Sequence, residues 1–387
     1  MALNSFQTSG NSPGDRDPRC RVGILGFGTV GSAVARRLTS PDLTRPLKLT
    51  HIADRRARDK RARQSEPLTS LNWTERFDDL LASDVDIIVE TVSGGEPAVD
   101  YIRAALLAGK SVVTASKQVM AHQGPALLAL AERQGRQLRF EAAVGGAMPI
   151  VRVLGDGLAG DGVMEINAIL NATSNSVLSR MESLECEMDE AIADACANGY
   201  AEVDPSLDLD GIDAAAKLVI LCALAFHLRV SPDAIDTRST ARIGIEALKR
   251  ARLRGGTIRQ IAHAAYDRQR SSLTAWVAPI FVAQSSLFAR MTGPQNAAVI
   301  TCAHAGDITI TGQGAGGDAP AVAIISDLVA IARDRAAIVP APALTRGAGR
   351  TGRSTWFVLR PRFGTAGFHT GDTSRRAGPA PRAATCA

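Results

Sequence analysis

The sequence lacks any apolar segment approaching the roughly 20 residues that a membrane-spanning helix needs; its densest run, Leu218 to Phe226, falls well short. The first nineteen residues are polar, with Pro, Gly, Asp and Arg, and have no apolar centre of a secretory signal. They are expected to form a disordered arm. Cysteine is sparse and scattered. Cys20, Cys186, Cys196, Cys222, Cys302 and Cys386 form no C-x-x-C pair, and no Cys/His spacing suits zinc. This argues against a disulfide framework and fits free thiols in a reducing cytosol. No cysteine sits in a glycine-rich strand-to-helix turn, which removes acyl-transfer chemistry. Nor is the body basic. The net charge is +5 and the pI about 9.0, but residues 341–387 hold eight Arg, no Lys and one Asp, a net of +7. The remaining 340 residues carry −2, which is no phosphate-seeking surface for nucleic acid.

What is present is a chain of 387 residues, 45% hydrophobic and 21% charged, long enough for two domains and a large core. Its most informative stretch is Gly26-Phe27-Gly28-Thr29-Val30-Gly31. An apolar strand, Arg21 to Leu25, precedes it, and a helical run, Ser32 to Leu38, follows. This is the phosphate-binding turn of a dinucleotide fold. Gly26 permits the tight turn, Gly28 lets the backbone approach a pyrophosphate, and Gly31 lets helix and strand pack closely. The helix N-terminus offers N–H groups and a positive dipole end to the phosphates.

Strands and helices alternate up to about Val144. Further strands are expected at Leu47–Asp54, Val85–Glu90, Ser111–Ala115 and Gln137–Val144, with helices at Pro97–Ala108 and Gly124–Gln134 between them. The pattern predicts an α/β fold with a Rossmann-type, doubly wound parallel sheet. After Gly145-Gly146 the character changes. Strand-like runs at Met164–Leu170, Thr257–Ala264, Trp276–Val282 and Ala297–Cys302, with helices at Ser176–Asn198 and Asp210–His227, suggest an α+β domain with a mostly antiparallel sheet. An apolar helix at Ala319–Arg333 would pack back on the first domain. The expected partition is a dinucleotide domain at 20–145 plus 318–337 and an inserted substrate-binding and dimerisation domain at 146–317. Beyond Pro340, Gly, Pro, Ala, Thr and Arg dominate and only Ser354–Leu359 reads as a strand, so residues 341–387 are expected to be mostly disordered.

Asp54 closes the second strand, where an acid can meet a ribose 2′-hydroxyl and so favour NAD; Arg55, Arg56 and Arg58 follow at once and could take the 2′-phosphate of NADP. Lys117 ends the Thr114-Ala115-Ser116-Lys117 strand terminus, the edge of a parallel sheet where ligands bind. The segment Gly199 to Lys217 holds five carboxylates and one lysine. Asp213 and Lys217 are four apart and share a helix face. Ile212, Ala216, Val219 and Ala223 read as the buried stripe, with Asp213 and Lys217 on its flank. Two readings stay open: a routine surface ion pair with Asp210 as N-cap and Asp213 as capping-box acid, or a proton-transfer lysine at a core edge. Gly145-Gly146 and Gly312–Gly317 could be close-approach sites or ordinary turns.

Taken together, the residues resemble the homoserine dehydrogenase family. The matching motifs run in order: GFGTVG at Gly26–Gly31, VVTASK at Val112–Lys117, EAAVGGAMPI at Glu141–Ile150, ILNATSN at Ile169–Asn175, GYAEVDPSLDLDGIDAAAK at Gly199–Lys217, GPQNA at Gly293–Ala297 and GQGAGG at Gly312–Gly317. The resemblance covers about residues 20–340. It implies reversible NAD(P)-dependent hydride transfer between L-homoserine and L-aspartate 4-semialdehyde, on the route to threonine, methionine and isoleucine, in a cytoplasmic homodimer. It implies Lys217 as the general acid/base, Asp213 as the group that fixes Lys217 and substrate, and Lys117 beside the nicotinamide and reaction centre. Glu202 would hold the substrate ammonium, with Asp208 also at the substrate. Phe27, Thr29, Val30, Ser93 and Gly316 join the glycines on the cofactor side. A sodium-type ion would be held by backbone oxygens at Glu141, Val144, Gly146 and Met148.

Two departures are mild: Ser116 stands where the family usually has Asn, and Ala172 where it often has Gly. The end departs further, because after Ser354–Leu359 nothing resembles the regulatory ACT domain that many bacterial members carry. The alternative is a catalytically impaired nucleotide-binding pseudoenzyme with a damaged C-terminus. A semialdehyde dehydrogenase is disfavoured by the lack of a nucleophilic cysteine. No nucleic-acid or membrane partner is expected. From the missing ACT pattern, threonine is expected to inhibit weakly or not at all; tight threonine inhibition in an activity assay would contradict this.

Overall fold

The computed structural model describes residues 19–40, 46–92, 94, 96–201 and 204–333. Residues 1–18 of the expected 1–19 arm, the expected tail with its Ser354–Leu359 strand, residues 334–337 of the expected first domain, Ser93 and Glu202 all lie outside the described residues.

Among the described residues the strands form two six-stranded sheets. The first contains β1 (Cys20–Leu25), β2 (Leu47–Ala53), β3 (Asn72–Thr74), β4 (Ile87–Glu90), β5 (Ser111–Thr114) and β6 (Leu138–Arg139). Its order is β3-β2-β1-β4-β5-β6 and every pairing is parallel. The order reverses between β1 and β4, which places a crevice at their carboxyl ends. Near-continuous apolar strands such as Ile87-Ile88-Val89, buried on both faces, are what a parallel sheet between helices requires. The second sheet contains β7 (Val163–Ile169), β8 (Asp236–Thr237), β9 (Gly256–Asp267), β10 (Ser272–Ala283), β11 (Gln295–Cys302) and β12 (Asp307–Gln313). Its order is β12-β11-β7-β9-β10-β8, antiparallel except for β10 with β8. The short strands β3 and β8, and β12 leading into the glycine run, were not anticipated from the sequence.

One apolar core runs unbroken through both parts. Val112 and Leu138 of the first sheet, Val119 and Leu127 of the helix Lys117–Arg133, Leu218 and Leu221 of the helix Ile212–Phe226, and Ile166, Ala262 and Val277 of the second sheet belong to it. The opposite face of the first sheet packs Val22, Ile24 and Val89 against the helix Thr29–Leu38 and, through Ile324 and Leu328, against the helix Asp318–Ala332. The chain therefore returns to the first sheet after completing the second.

Several expected boundaries are corrected. The strand expected over Gln137–Val144 pairs only at Leu138–Arg139 and then turns through Glu141–Ala143. The cause is Glu141. Its carboxylate accepts the N–H groups of Val151 and Arg152 at 2.9 Å, and its own N–H is given to Asp327 at 3.0 Å, so the backbone leaves the ladder. The helix expected from Gly124 starts at Lys117, capped by the Ser116 hydroxyl, which accepts the Val119 N–H. Asn and Ser are comparable N-caps, which accounts for the Ser116 departure. The helix expected over Ser176–Asn198 is two helices, Ala172–Leu184 and Met188–Ala197, broken where Glu185 adopts a left-handed conformation at φ 53°.

Asp327 is fully buried in the returning helix and also accepts a hydrogen bond from Arg152 at 3.0 Å. Burial pushes its carboxyl up to about 6, against the pull of the Glu141 N–H, Arg152 and Arg139. Asp327→Ala would strand one buried donor, the Glu141 N–H, and remove the partner of the half-buried Arg152 guanidinium. It is expected to lower the unfolding free energy by about 3 kcal/mol in urea titration. Asp327→Asn, which keeps an acceptor, should lose less than half of that, and removal of the exposed Asp318–Arg37 pair under about 1 kcal/mol.

Candidate active site

β1 delivers the chain into the glycine turn at the crevice. Gly26 has φ +94°, and a Cβ there would press on the Thr91 carbonyl oxygen. A Cβ on Gly31 would overlap the Gly26 carbonyl oxygen, so helix and turn touch backbone to backbone. Gly28 differs: a Cβ there would meet nothing within 4 Å, and as N-cap it supplies no side-chain hydrogen bond to the first turn of the helix Thr29–Leu38. The turn thus keeps open space beside N–H groups with no side-chain cap, which is the room a pyrophosphate takes. The residues present fit a dinucleotide. The Gly312–Gly317 run meets this turn, since a Cβ on Gly317 would crowd Thr29 Cγ2 at 2.9 Å, while Gly316 at φ +93° faces open space.

Asp54 is occupied in a way the sequence did not suggest. Its carboxylate accepts the N–H of Phe27 at 2.8 Å and of Arg56 at 2.9 Å, and pairs with the Lys60 ammonium at 2.6 Å. Burial alone would raise this carboxyl; the Lys60 ammonium and the two backbone donors outweigh it and hold it low. Asp54 therefore braces the glycine turn through Phe27.

Across the crevice, the helix Lys117–Arg133 and the helix Ile212–Phe226 bring three charges together. The Asp213 carboxylate receives the Lys117 ammonium on Oδ1 at 2.5 Å and the Lys217 ammonium on Oδ2 at 2.9 Å. Lys217 Nζ also donates to the Leu170 carbonyl at 2.8 Å, at the end of β7. Asp213 is 5% exposed, while Ile212, expected in the buried stripe, is 42% exposed. The helix is rotated so that the acid, not the isoleucine, faces inward. Its N-cap is Gly211 at φ 81°, not Asp210, and Asp213 is the second helical residue. The routine surface pair is thereby excluded. Desolvation would raise the Asp213 carboxyl, but the two ammonium groups hold it well below the usual carboxylate range.

Asn171, to which the sequence assigns no separate role, links two acids. Its amide donates to Asp208 at 2.6 Å and to Asp213 at 2.9 Å, and its oxygen caps the helix Ala172–Leu184 by accepting the Ser174 N–H at 2.7 Å. Asp208 is raised first by burial and then by the nearby Asp213 charge, with Asn171 opposing. Only the N-cap pattern Asn171-x-x-Ser174 could have signalled this residue. Gly145-Gly146 and Gly312–Gly314 prove to approach each other: a Cβ on Gly146 would meet the Gln313 and Gly314 carbonyls at 2.7 Å, and the Ala147 N–H bonds Gln313 at 2.8 Å.

Comparison with known proteins agrees with this geometry. The sequence profile described as homoserine dehydrogenase matches residues 149–329, and that described as homoserine dehydrogenase, NAD binding domain, matches residues 26–141. The chain belongs to the homoserine dehydrogenase family. A homoserine dehydrogenase of Mycobacterium tuberculosis is 39% identical over 333 residues, spanning 84% of this chain and 74% of that protein. The crystal structure of a homoserine dehydrogenase from Thiobacillus denitrificans superposes with a TM-score of 0.75 at 32% identity, covering 81% of this chain and 73% of that one. A hyperthermophilic archaeal homoserine dehydrogenase in complex with NADPH superposes at 0.68 with 26% identity, covering 83% of this chain and 99% of that one. Membership makes the chain an NAD(P)-dependent oxidoreductase. The pseudoenzyme alternative has no support: Lys117, Asp208, Asp213 and Lys217 are all present and joined in one network.

Gly28→Ala is expected to leave the thermal midpoint nearly unchanged, because the added Cβ meets no protein atom within 4 Å, and to weaken dinucleotide binding about 10- to 100-fold by entering the phosphate space. Equilibrium titration of NADPH fluorescence measures it.

Proposed function

We propose that this chain interconverts L-homoserine and L-aspartate 4-semialdehyde with Lys217 as the group that gives and takes the proton. The observation that carries the reading is the anchoring of Lys217 Nζ by the Leu170 carbonyl and the Asp213 carboxylate. Two of its three donors are spoken for, which leaves one for a substrate oxygen and fixes its direction. The nicotinamide, when bound, supplies the hydride or takes it up. During reduction, negative charge grows on the substrate carbonyl oxygen; a pre-positioned ammonium stabilises that oxygen and then protonates it. In the oxidative direction the amine recovers the proton from the hydroxyl. Lys117, on the other oxygen of Asp213, adds a second positive charge at the reaction centre. Asp208 and Glu202 would receive the substrate ammonium, which accounts for an acidic segment that would otherwise repel itself.

Both NAD and NADP are compatible with the second loop. Lys60 offsets the Asp54 charge that would repel a 2′-phosphate, and exposed Arg55 stands beside it. We assign the nucleotide domain to 20–145 plus 318–337 and the substrate domain to 146–317. The return of the helix Asp318–Ala332 to the first sheet supports this partition. The carbonyls of Glu141, Val144, Gly146 and Met148 are hard donors of the kind a sodium-type ion takes. The Met148 carbonyl already accepts the Ile150 N–H at 2.8 Å and keeps a second lone pair. Such an ion would hold the bend after β6 and takes no part in proton transfer. Among the described residues no helix is long and apolar enough to cross a membrane. A homodimer in the cytoplasm, paired through the second sheet, completes the proposal.

Lys217→Ala should lower kcat for homoserine oxidation about 10²- to 10⁴-fold while leaving dinucleotide binding intact. Spectrophotometric turnover at 340 nm with each coenzyme tests it; equal rates in both proteins would remove Lys217 from the chemistry.

A further inference from the structure

Beneath the crevice lies a buried acid that this mechanism does not use. Glu90 ends β4 and is 1% exposed; Thr114 ends β5 and is fully buried. The two are paired across neighbouring strands, and Glu90 Oε2 lies 2.5 Å from Thr114 Oγ1. Thr114 Oγ1 also accepts the Ser116 N–H at 3.0 Å, so its own proton is directed to Glu90. The other carboxylate oxygen accepts the Val92 N–H at 2.6 Å. One side chain therefore ties the loop leaving β4 to the turn leaving β5.

Each of those segments leads to the site. Thr91, between Glu90 and Val92, donates its hydroxyl to the Gly26 carbonyl at 2.8 Å and so holds the glycine turn. Ser116 caps the helix whose first residue is Lys117, and Lys117 meets Asp213 at 2.5 Å. Packing alone does not call for an acid here, since the neighbouring positions of β4 are Ile88 and Val89, and burying a carboxyl is costly unless its bonds are needed.

We propose that Glu90, acting through Thr114, is a positioning residue: it fixes the backbone entering the Lys117 helix and thereby the place where the Lys117 ammonium meets Asp213. The proposal rests on the role given to Lys117 above. The test uses the full chain carrying Thr114→Val, Glu90→Gln, Glu90→Ala, Lys117→Ala and the Thr114→Val/Lys117→Ala pair, with kcat, KM for homoserine and thermal midpoint measured for each. Thr114→Val, which keeps the shape and removes the relay, is expected to lower kcat at least about tenfold while KM for homoserine stays within about threefold. In the Lys117→Ala background it should cost nothing more, because both changes act at one group. Glu90→Gln retains an acceptor for Val92 and a polar group facing Thr114, and should keep most of the turnover that Glu90→Ala loses. Should Glu90→Ala fail to fold, Thr114→Val decides alone. A wild-type kcat in Thr114→Val, a full additional loss on top of Lys117→Ala, or a Glu90→Gln protein as slow as a folded Glu90→Ala overturns the proposal. A wild-type kcat in Lys117→Ala overturns the role of Lys117 and this proposal together, whereas a slow Lys117→Ala beside a fast Thr114→Val overturns this proposal alone.

Discussion

A single carboxylate, Asp213, lies between two ammonium groups inside a protein wall. Taking an ion out of water costs several kcal/mol. Each close opposite charge returns about 4 kcal/mol at an effective dielectric of about 20, and Asn171 adds a hydrogen bond. Two partners suffice where one would be marginal. The arrangement makes the three side chains mutually dependent: Asp213 stays ionised because the lysines are there, and the lysines point where they do because Asp213 is ionised. The rest of the architecture serves to keep these groups in register.

That register needs elements from both sheets. Lys117 comes from the helix after β5, Lys217 and Asp213 from the helix before β8, and the Leu170 carbonyl from the end of β7. An unbroken apolar core between the two helices lets side chains from distant parts of the sequence meet within hydrogen-bond distance. The glycine segments work to the same end. Gly146 lies against the Gln313 and Gly314 carbonyls, and Gly312 against the Met148 backbone, at distances a Cβ would not allow, and Gly317 sets the chain against Thr29 at the start of the phosphate turn. The bend at Glu141, held by Asp327 from the returning helix, begins the passage from the first sheet to the second.

Much of this could be read from residue order. The glycine spacing named the nucleotide turn, and alternating apolar runs named the parallel sheet, because both signals are local. Composition and spacing in the Gly199–Lys217 segment left Lys217 and Asp213 open between a surface ion pair and a proton-transfer site, and only the family resemblance favoured the second. The errors have one character. Ile212 was expected inside and Asp213 on the flank because hydropathy alone assigns the inner face, whereas here the inner face is set by charges arriving from another helix. The strand expected through Val144 ends early because Glu141 takes its hydrogen bonds from Val151 and Arg152. The Lys117 helix begins seven residues before the expected start because Ser116 caps it, a signal weaker than the Gly124-Pro125 pair that masked it.

What the sequence determined by itself were the elements with short-range causes: the strand, turn and helix at Gly26–Gly31, the parallel first sheet, the returning apolar helix, and the chemical types gathered at the site. Which groups would touch was decided by tertiary structure alone. Asn171 between two acids, Lys60 on Asp54, Asp327 under Glu141 and Thr114 on Glu90 join residues that are 6 to 186 positions apart. No local propensity encodes such pairs. They form because buried polar groups must find partners, and only the folded chain determines which partners are within reach.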